Sequence, residues 1–339
     1  MSKIGVLLMN IGTPSGSDVA SVQKYLSEFL TDKDVINAPA FIREFVFRLW
    51  IVPRRAPASA LKYQAVWTPE GSPLMVYSKR FCLALQKALG EGFVVKIGMR
   101  YGTPSIRDSL EEMKVQGISK ILLVPLYPQF AQATTGSSVG KAEQVLKEMA
   151  FEGSVQVMPE FYDQSDFIKS WQEILSPTLG TVDHWLFSFH GLPIRQIKKV
   201  PGCTQEKCCD RMLASPSGAN GLKCYKAQCL NTAKRLAQAL DLNSNEWTVS
   251  FQSRLGPVKW IEPYTDKTLI ELAQRGVKRL AVCAPAFVVD GLETLEELNI
   301  EGRKTFLSHG GQEFKYIECL NDHPSWVQHF AGLLQRSAT

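Results

Sequence analysis

A histidine closes the apolar run Trp185-Leu186-Phe187-Ser188-Phe189-His190, just before a Gly-Leu-Pro turn. A second apolar run, Ala284 to Val289, leads into three acids, Asp290, Glu293 and Glu297. Spacings of three and four put those acids on one face of an α-helix. A neutral imidazole takes a proton near pH 7 or binds a borderline metal, and carboxylates hold harder cations or relay protons. The pairing implies a site that takes up protons and handles a hard or borderline cation. Simpler readings stand beside it. A histidine flanking an apolar run is commonly a satisfied core residue, Asp290 can serve as a helix N-cap, and Glu293 and Glu297 can form a solvated face.

Two more groups carry chemistry. Tyr127-Pro128-Gln129-Phe130 precedes the hydroxyl-rich turn Thr134-Thr135-Gly136-Ser137-Ser138. That turn can cap a helix starting near Val139, and no Gly-rich loop with a lysine is present to make it a nucleotide site. Five of the eight cysteines, Cys203, Cys208, Cys209, Cys224 and Cys229, fall within one short segment holding two C-x4-C pairs. Four thiolates there can hold Zn²⁺ or an iron–sulfur cluster, and free thiols are the alternative. Cys82, Cys283 and Cys319 read as small buried residues.

The elements that position these groups are short strands alternating with amphipathic helices, the pattern of parallel sheets with helical crossovers. The pattern occurs twice. Gly102-Thr103-Pro104 leads into a helix bearing Leu110 and Met113, then Gly117, then the strand Lys120 to Val124. The same order returns 159 residues on, through Pro263, Leu269, Leu272, Gly276 and Arg279 to Val282. Val6 to Asn10, running to Pro14, matches Trp185 to Phe189, running to Pro193. We therefore expect an α/β chain of two similar Rossmann-like domains, each a parallel sheet flanked by helices. Ligands of such sheets sit beyond the carboxyl ends of the strands, where His190, the Tyr127 region and Asp290 fall. The first half is longer, 90 residues between its marker prolines against 70 in the second. Ala38 to Pro57 carries much of that surplus, with apolar residues from Phe41 to Val52 and Arg43, Arg48, Arg54 and Arg55 between them. It reads either as a core helix or as an exposed apolar lip suited to a flat greasy ligand or an anionic membrane surface.

At 339 residues, 45% hydrophobic and 21% charged, the chain can bury a sizeable core. A net charge of +5 without a basic stripe argues against a nucleic-acid partner. Met1-Ser2-Lys3 runs straight into a strand-like segment, and no apolar stretch is long enough to span a bilayer, so a cytoplasmic protein is expected. In that setting clustered cysteines favour metal or free thiols over disulfides.

Taken together, these segments resemble the ferrochelatase family, which inserts ferrous iron into a porphyrin. The likeness rests on Leu8 to Pro14, Arg100-Tyr101, Tyr127 to Phe130 with Thr134 to Ser138, Ser188 to Pro193, Gln252 to Pro257 and Asp290 to Leu295, in order along nearly the whole chain. The type it resembles is the bacterial one with an internal cysteine-rich segment. The resemblance implies a porphyrin cleft between two domains, placed at 1–125 (with the lip at about 38–57) and 126–323 (with the cysteine insertion at about 201–229). A C-terminal helix at 324–339 is expected to pack back on the first domain.

The resemblance also implies His190 and Glu293 as the metal and proton-handling pair, with Asp290 and Glu297 in an acidic line beside them. It implies Ile11, Arg100, Tyr101, Tyr127 and Ser253 as substrate-binding residues. Fe²⁺ is then a substrate, and a [2Fe–2S] cluster on Cys203, Cys224, Cys229 and Cys208 (or Cys209 in its place) is the implied cofactor, with Zn²⁺ as the alternative. Gly291 stands where some members carry histidine. Expected partners are a porphyrin, with protoporphyrin IX favoured over coproporphyrin III by Ile11 and the apolar lip, and a peripheral membrane contact at the inner face through that lip. An iron–sulfur oxidoreductase and a non-catalytic tetrapyrrole or metal carrier are the other readings. Oligomeric state is not legible.

Overall fold

Two four-stranded parallel sheets organise the chain. The computed structural model describes residues 3–35, 39–198, 223–254, 256 and 258–338. The first sheet holds β1 (Ile4–Gly12), β2 (Phe93–Tyr101), β3 (Lys120–Pro125) and β4 (Ser154–Val157) in the order β2-β1-β3-β4. The second holds β5 (His184–His190), β6 (Trp247–Gln252), β7 (Arg279–Cys283) and β8 (Glu313–Tyr316) in the order β6-β5-β7-β8. All pairings are parallel, and helices run between the strands. The central strands β1, β3, β5 and β7 are almost wholly buried, which is why they read as unbroken apolar runs rather than as alternation.

The internal repeat holds residue by residue. Leu110, Met113, Ile118, Ile121 and Leu123 lie in the core of the first sheet; Leu269, Leu272, Val277, Leu280 and Val282 take the same places in the second. Gly117 and Gly276 both end a helix with positive φ, +72° and +93°, where a β-carbon would be strained. Thr103-Pro104 and Glu262-Pro263 are both cis, and in each half the proline carbonyl accepts a backbone bond of 2.8 Å from a strand residue, Met99 or Phe251.

The chain divides into two compact units. One comprises Met1–Leu126, Gln132–Pro159 and Asn321–Thr339; the other comprises Tyr127–Ala131 and Glu160–Leu320. A single division after residue 125 is thus interrupted. Residues 132–159 return to the first unit because the helix Ser137–Glu148 and β4 complete its sheet beside β3. The C-terminal helix Pro324–Ala338 lies in the first unit against the helix Pro73–Leu89, with the Phe81 and Trp326 rings stacked at 6.0 Å. No helix among the described residues is long and apolar enough to cross a membrane.

The segment with two readings is settled within its own unit. It forms a π-helix, Ile42–Ile51, that buries none of its residues and continues into the α-helix Val52–Val66. Phe41, Phe45, Leu49 and Trp50 are 59–65% exposed, so this is an apolar surface and not a core helix. Arg54 lies over the Trp50 ring at 4.9 Å, and Arg48 pairs with Glu44.

Candidate functional site

In the second unit the site begins where β5 ends. His190 Nδ1 lies 2.6 Å from the Gly191 carbonyl, a contact that only a protonated Nδ1 can make favourably. The neutral ring then presents a lone pair on Nε2, free to take a proton or a metal. Two further contacts hold this strand end. Tyr225, the first residue of the helix Tyr225–Ala239, donates its hydroxyl to the His190 carbonyl at 2.7 Å. The Gly191 amide donates to the Gln252 carbonyl at 2.7 Å, and a β-carbon on residue 191 would sit 2.7 Å from that same oxygen, so the approach needs glycine. Phe287 flanks the imidazole, with ring centroids 6.2 Å apart.

A π-helix spans Glu293–Gly302. Consecutive residues at the end of β6 hold it. Gln252 donates its side-chain amide to the Glu293 carbonyl at 2.9 Å and accepts from Ser188 Oγ at 2.8 Å. Ser253 grips the Glu297 carboxylate twice, through its amide at 2.8 Å and its hydroxyl at 2.5 Å, from a left-handed backbone at φ +64°. Burial raises the Glu297 pKa above the usual carboxylate value; the Ser253 bonds and His190 oppose that rise and Glu293 adds to it. His190 and Glu293 thus each lie within electrostatic reach of Glu297, which is tuned toward holding a proton.

Asp290 does not share a helix face with Glu293 and Glu297. It precedes the helix, and its carboxylate is fully buried among donors. Thr294 Oγ1 donates to Oδ1 at 2.7 Å, the Tyr316 hydroxyl to Oδ1 at 2.6 Å and the Cys319 amide to Oδ2 at 3.0 Å. Burial, followed by Cys319 and Asp290, pushes the Tyr316 hydroxyl far above its usual range, so it stays a donor. Gly291, the expected departure, donates its amide to Thr294 Oγ1 at 2.9 Å. The helix buries Thr294, Glu296 and Leu298, whereas Leu295 and the N-cap Leu292 are only partly buried. A π-helix has a wider turn than an α-helix, so α-periodicity misassigns its faces.

Tyr127 to Phe130 belong to the second unit and are fastened to the helix that carries Tyr225. The Phe130 amide donates to Gln228 Oε1 at 2.6 Å, and Gln129 Nε2 donates to Thr232 Oγ1 at 3.1 Å. Tyr225, Gln228 and Thr232 follow helical spacing, so one helix face steadies both the His190 strand end and the Tyr127 loop.

In the first unit, Arg100 and Tyr101 end β2. The Arg100 guanidinium pairs with Asp32, donates through Nε to Ser137 Oγ at 2.8 Å and lies 4.7 Å over the Tyr101 ring. Tyr101 is 3% exposed and donates its hydroxyl to Asp32 at 2.9 Å. The Arg100 charge is therefore already matched, and the hydroxyl of Ser137 serves it rather than capping the helix Ser137–Glu148, which has no side-chain cap. Ile11 is half-buried at the end of β1, its amide bonded to Asn10 Oδ1 at 2.7 Å.

Among the cysteine candidates, Cys203, Cys208 and Cys209 lie outside the described residues. Cys224 and Cys229 are buried at the start of the helix Tyr225–Ala239. Burial pushes the Cys229 thiol well above its ordinary pKa, and its side chain bonds with Tyr225. No group of three or more His, Cys, Asp or Glu side chains is arranged to hold a metal among the described residues. Asp32, Tyr225 and Tyr316 lie in none of the segments singled out in the sequence, and Gln252 and Thr294 lie in two of them without a role; what each does rests on partners that no local pattern announces.

The Ferrochelatase family model matches residues 3–338. The chain is 45% identical over 338 residues to the ferrochelatase of Bdellovibrio bacteriovorus, covering 99% of both proteins. It is 41% identical over 340 residues to the ferrochelatase of Coxiella burnetii, covering 99% of this chain and 94% of that protein. Among solved structures, SirB from Bacillus subtilis with Fe3+ is similar in fold, with a TM-score of 0.56 at 11% identity, covering 99% of this chain and 96% of that one.

Proposed function

The chain belongs to the ferrochelatase family and inserts ferrous iron into a porphyrin, and from that premise we propose how its residues do so. A free porphyrin gives up two pyrrole protons as Fe²⁺ enters. His190 takes a proton through Nε2, the nitrogen left open by the 2.6 Å Nδ1 contact, and this geometry is the single observation that carries the reading. Glu293 shares the metal and proton traffic with His190. Glu297 is the next acceptor, because a carboxyl with a raised pKa exchanges protons closer to neutral pH than an ordinary glutamate. Oxygen and imidazole ligands hold Fe²⁺ loosely enough to release it to four ring nitrogens. Arg100 and Tyr101 support the substrate through the Asp32 pair rather than by offering an unmatched charge to a propionate.

The substrate proposed is protoporphyrin IX, giving protohaem. Half-buried Ile11 and the exposed Phe41, Phe45, Leu49 and Trp50 suit a ring with two vinyls and two propionates better than one with four propionates. The same apolar surface, with Arg43, Arg48, Arg54 and Arg55 in its segment, is a candidate for peripheral contact with an anionic bilayer at the inner membrane face of a cytoplasmic enzyme. Anaerobic incubation of pure protein with Fe²⁺ and protoporphyrin IX should produce the haem spectrum. Competition with coproporphyrin III should leave protoporphyrin preferred; preference for the four-propionate ring refutes the substrate assignment, and no haem from either ring refutes the activity.

A [2Fe–2S] cluster on Cys203, Cys224, Cys229 and Cys208 or Cys209 belongs to the same proposal, with Zn²⁺ as the alternative. Cys224 and Cys229 fit in part. Both are buried soft ligands, and Cys224 is the N-cap of the helix Tyr225–Ala239 on which Cys229 lies. Cys229 is otherwise held as a thiol, so the metal's own charge must deprotonate it. A bound cluster would supply a redox-active centre apart from the insertion chemistry. Anaerobically prepared protein should be reddish and bleach with dithionite; colourless protein with stoichiometric zinc supports the alternative.

A further inference from the structure

Asp290 stands three residues before Glu293, but its carboxylate turns into the fold. It is fully buried and accepts from Thr294 Oγ1, the Tyr316 hydroxyl and the Cys319 amide. Those donors come from two places. Thr294 is on the first turn of the π-helix, next to Glu293, while Tyr316 ends β8 and Cys319 follows it. Thr294 Oγ1 in turn receives the Gly291 amide at 2.9 Å, which closes the turn between Asp290 and the helix. The amide of Ile317, between Tyr316 and Cys319, bonds to the Val282 carbonyl on β7 at 2.8 Å, so the donors on that side are fixed to the sheet.

We infer that Asp290 is a positioning residue, a buried lock that ties the start of the π-helix to the β8 exit and thereby sets where Glu293 and Glu297 point. It is neither an iron ligand nor a proton carrier. Both acids depend on the helix register. Gln252 fixes the Glu293 backbone from the β6 side, and Ser253 grips the Glu297 carboxylate from that side too. The Asp290 lock supplies the opposing restraint. Without it the first turn can rotate about the Gln252 contact, and Glu293 moves relative to the His190 imidazole.

This inference rests on the assignment of Glu293 to iron handling, and it makes a distinctive claim: residues that never approach the substrate should reproduce the Asp290 defect. Thr294→Val keeps the side-chain shape and removes the hydroxyl; Tyr316→Phe removes one donor from the lock. Each, like Asp290→Asn, should lower kcat/KM for Fe²⁺ by about ten- to hundred-fold, the usual loss when a partner that orients a metal-handling group is removed. Porphyrin affinity, read by fluorescence quenching, should be unchanged. Thr294→Ser should restore activity. Combining Thr294→Val with Asp290→Asn should add little, because both break one unit.

Wild-type protein that makes no haem would defeat the functional reading before any variant is compared. With active wild type, a dead Asp290→Asn beside fully active Thr294→Val and Tyr316→Phe would overturn the lock and return Asp290 to the chemistry. A Thr294→Ser variant as impaired as Thr294→Val would overturn it as well. Should Asp290→Asn fail to fold by thermal unfolding, the Thr294→Val and Thr294→Ser pair decides alone.

Discussion

Replacing Glu297 with glutamine should make the protein more stable at neutral pH and less active. Burial raises the Glu297 pKa, Ser253 and His190 pull it back, and Glu293 raises it again. A carboxyl with a raised folded pKa binds its proton more tightly in the fold than in the open chain. Its contribution to stability is therefore full below the unfolded value near 4.5 and is lost as pH climbs through the folded value. Glutamine fits the same grip, since its carbonyl can accept the Ser253 amide at 2.8 Å and its NH₂ can face the Ser253 hydroxyl at 2.5 Å. The variant forfeits the extra strength of two charge-assisted bonds, about 1 kcal/mol each. It also relieves the desolvation of a half-buried carboxylate and its repulsion from Glu293, a cost of several kcal/mol for a buried ion.

The balance should favour Glu297→Gln by ~1 kcal/mol above the folded pKa, a rise in Tm of about 2–4 °C. Near pH 4 the carboxyl is protonated in both states, and the two proteins should converge. Thermal unfolding of both proteins from pH 4 to pH 9, with iron insertion measured alongside, checks the reasoning. A wild type at least as stable as the variant at pH 8 would refute it. So would a difference that does not narrow toward pH 4, because the effect would then not come from this ionisation.

His190→Ala should reduce iron insertion by roughly 10²- to 10⁴-fold, the range for losing a general base, while porphyrin quenching is retained; near wild-type turnover removes the assignment. Glu293→Gln should abolish most turnover with little change in Tm, whereas Glu296→Gln, at a position that is 6% exposed, should lower Tm with little change in turnover. Equal turnover losses would show that the wrong side of the π-helix has been chosen. Tyr225→Phe removes the 2.7 Å bond to the His190 carbonyl and should cost about 1 kcal/mol of stability together with part of kcat. An unchanged kcat there would separate the helix Tyr225–Ala239 from the placement of His190.

Much of the architecture is written locally in the sequence. Buried parallel strands must be continuous apolar runs, and the turns between elements must carry particular residues. The doubled pattern from Gly117 and Gly276 to the paired core leucines was therefore legible, as was the position of His190 at a strand end. Tertiary structure decided what those residues face. Spacing placed Asp290 with Glu293 and Glu297, but the π-helix starts only at Glu293, and Asp290 turns inward to Tyr316 and Cys319. The resemblance named Arg100 only as a substrate-binding residue, and nothing near it in the sequence announces Asp32, 68 residues away, which matches its charge. The Ile42–Ile51 segment read equally well as core or surface until its own unit left it uncovered. The physical reason is common to all three. Periodicity and turn chemistry depend on near neighbours, whereas the partner that neutralises a charge, satisfies a carboxylate or covers an apolar face comes from a distant part of the chain and is chosen only when the sheets close.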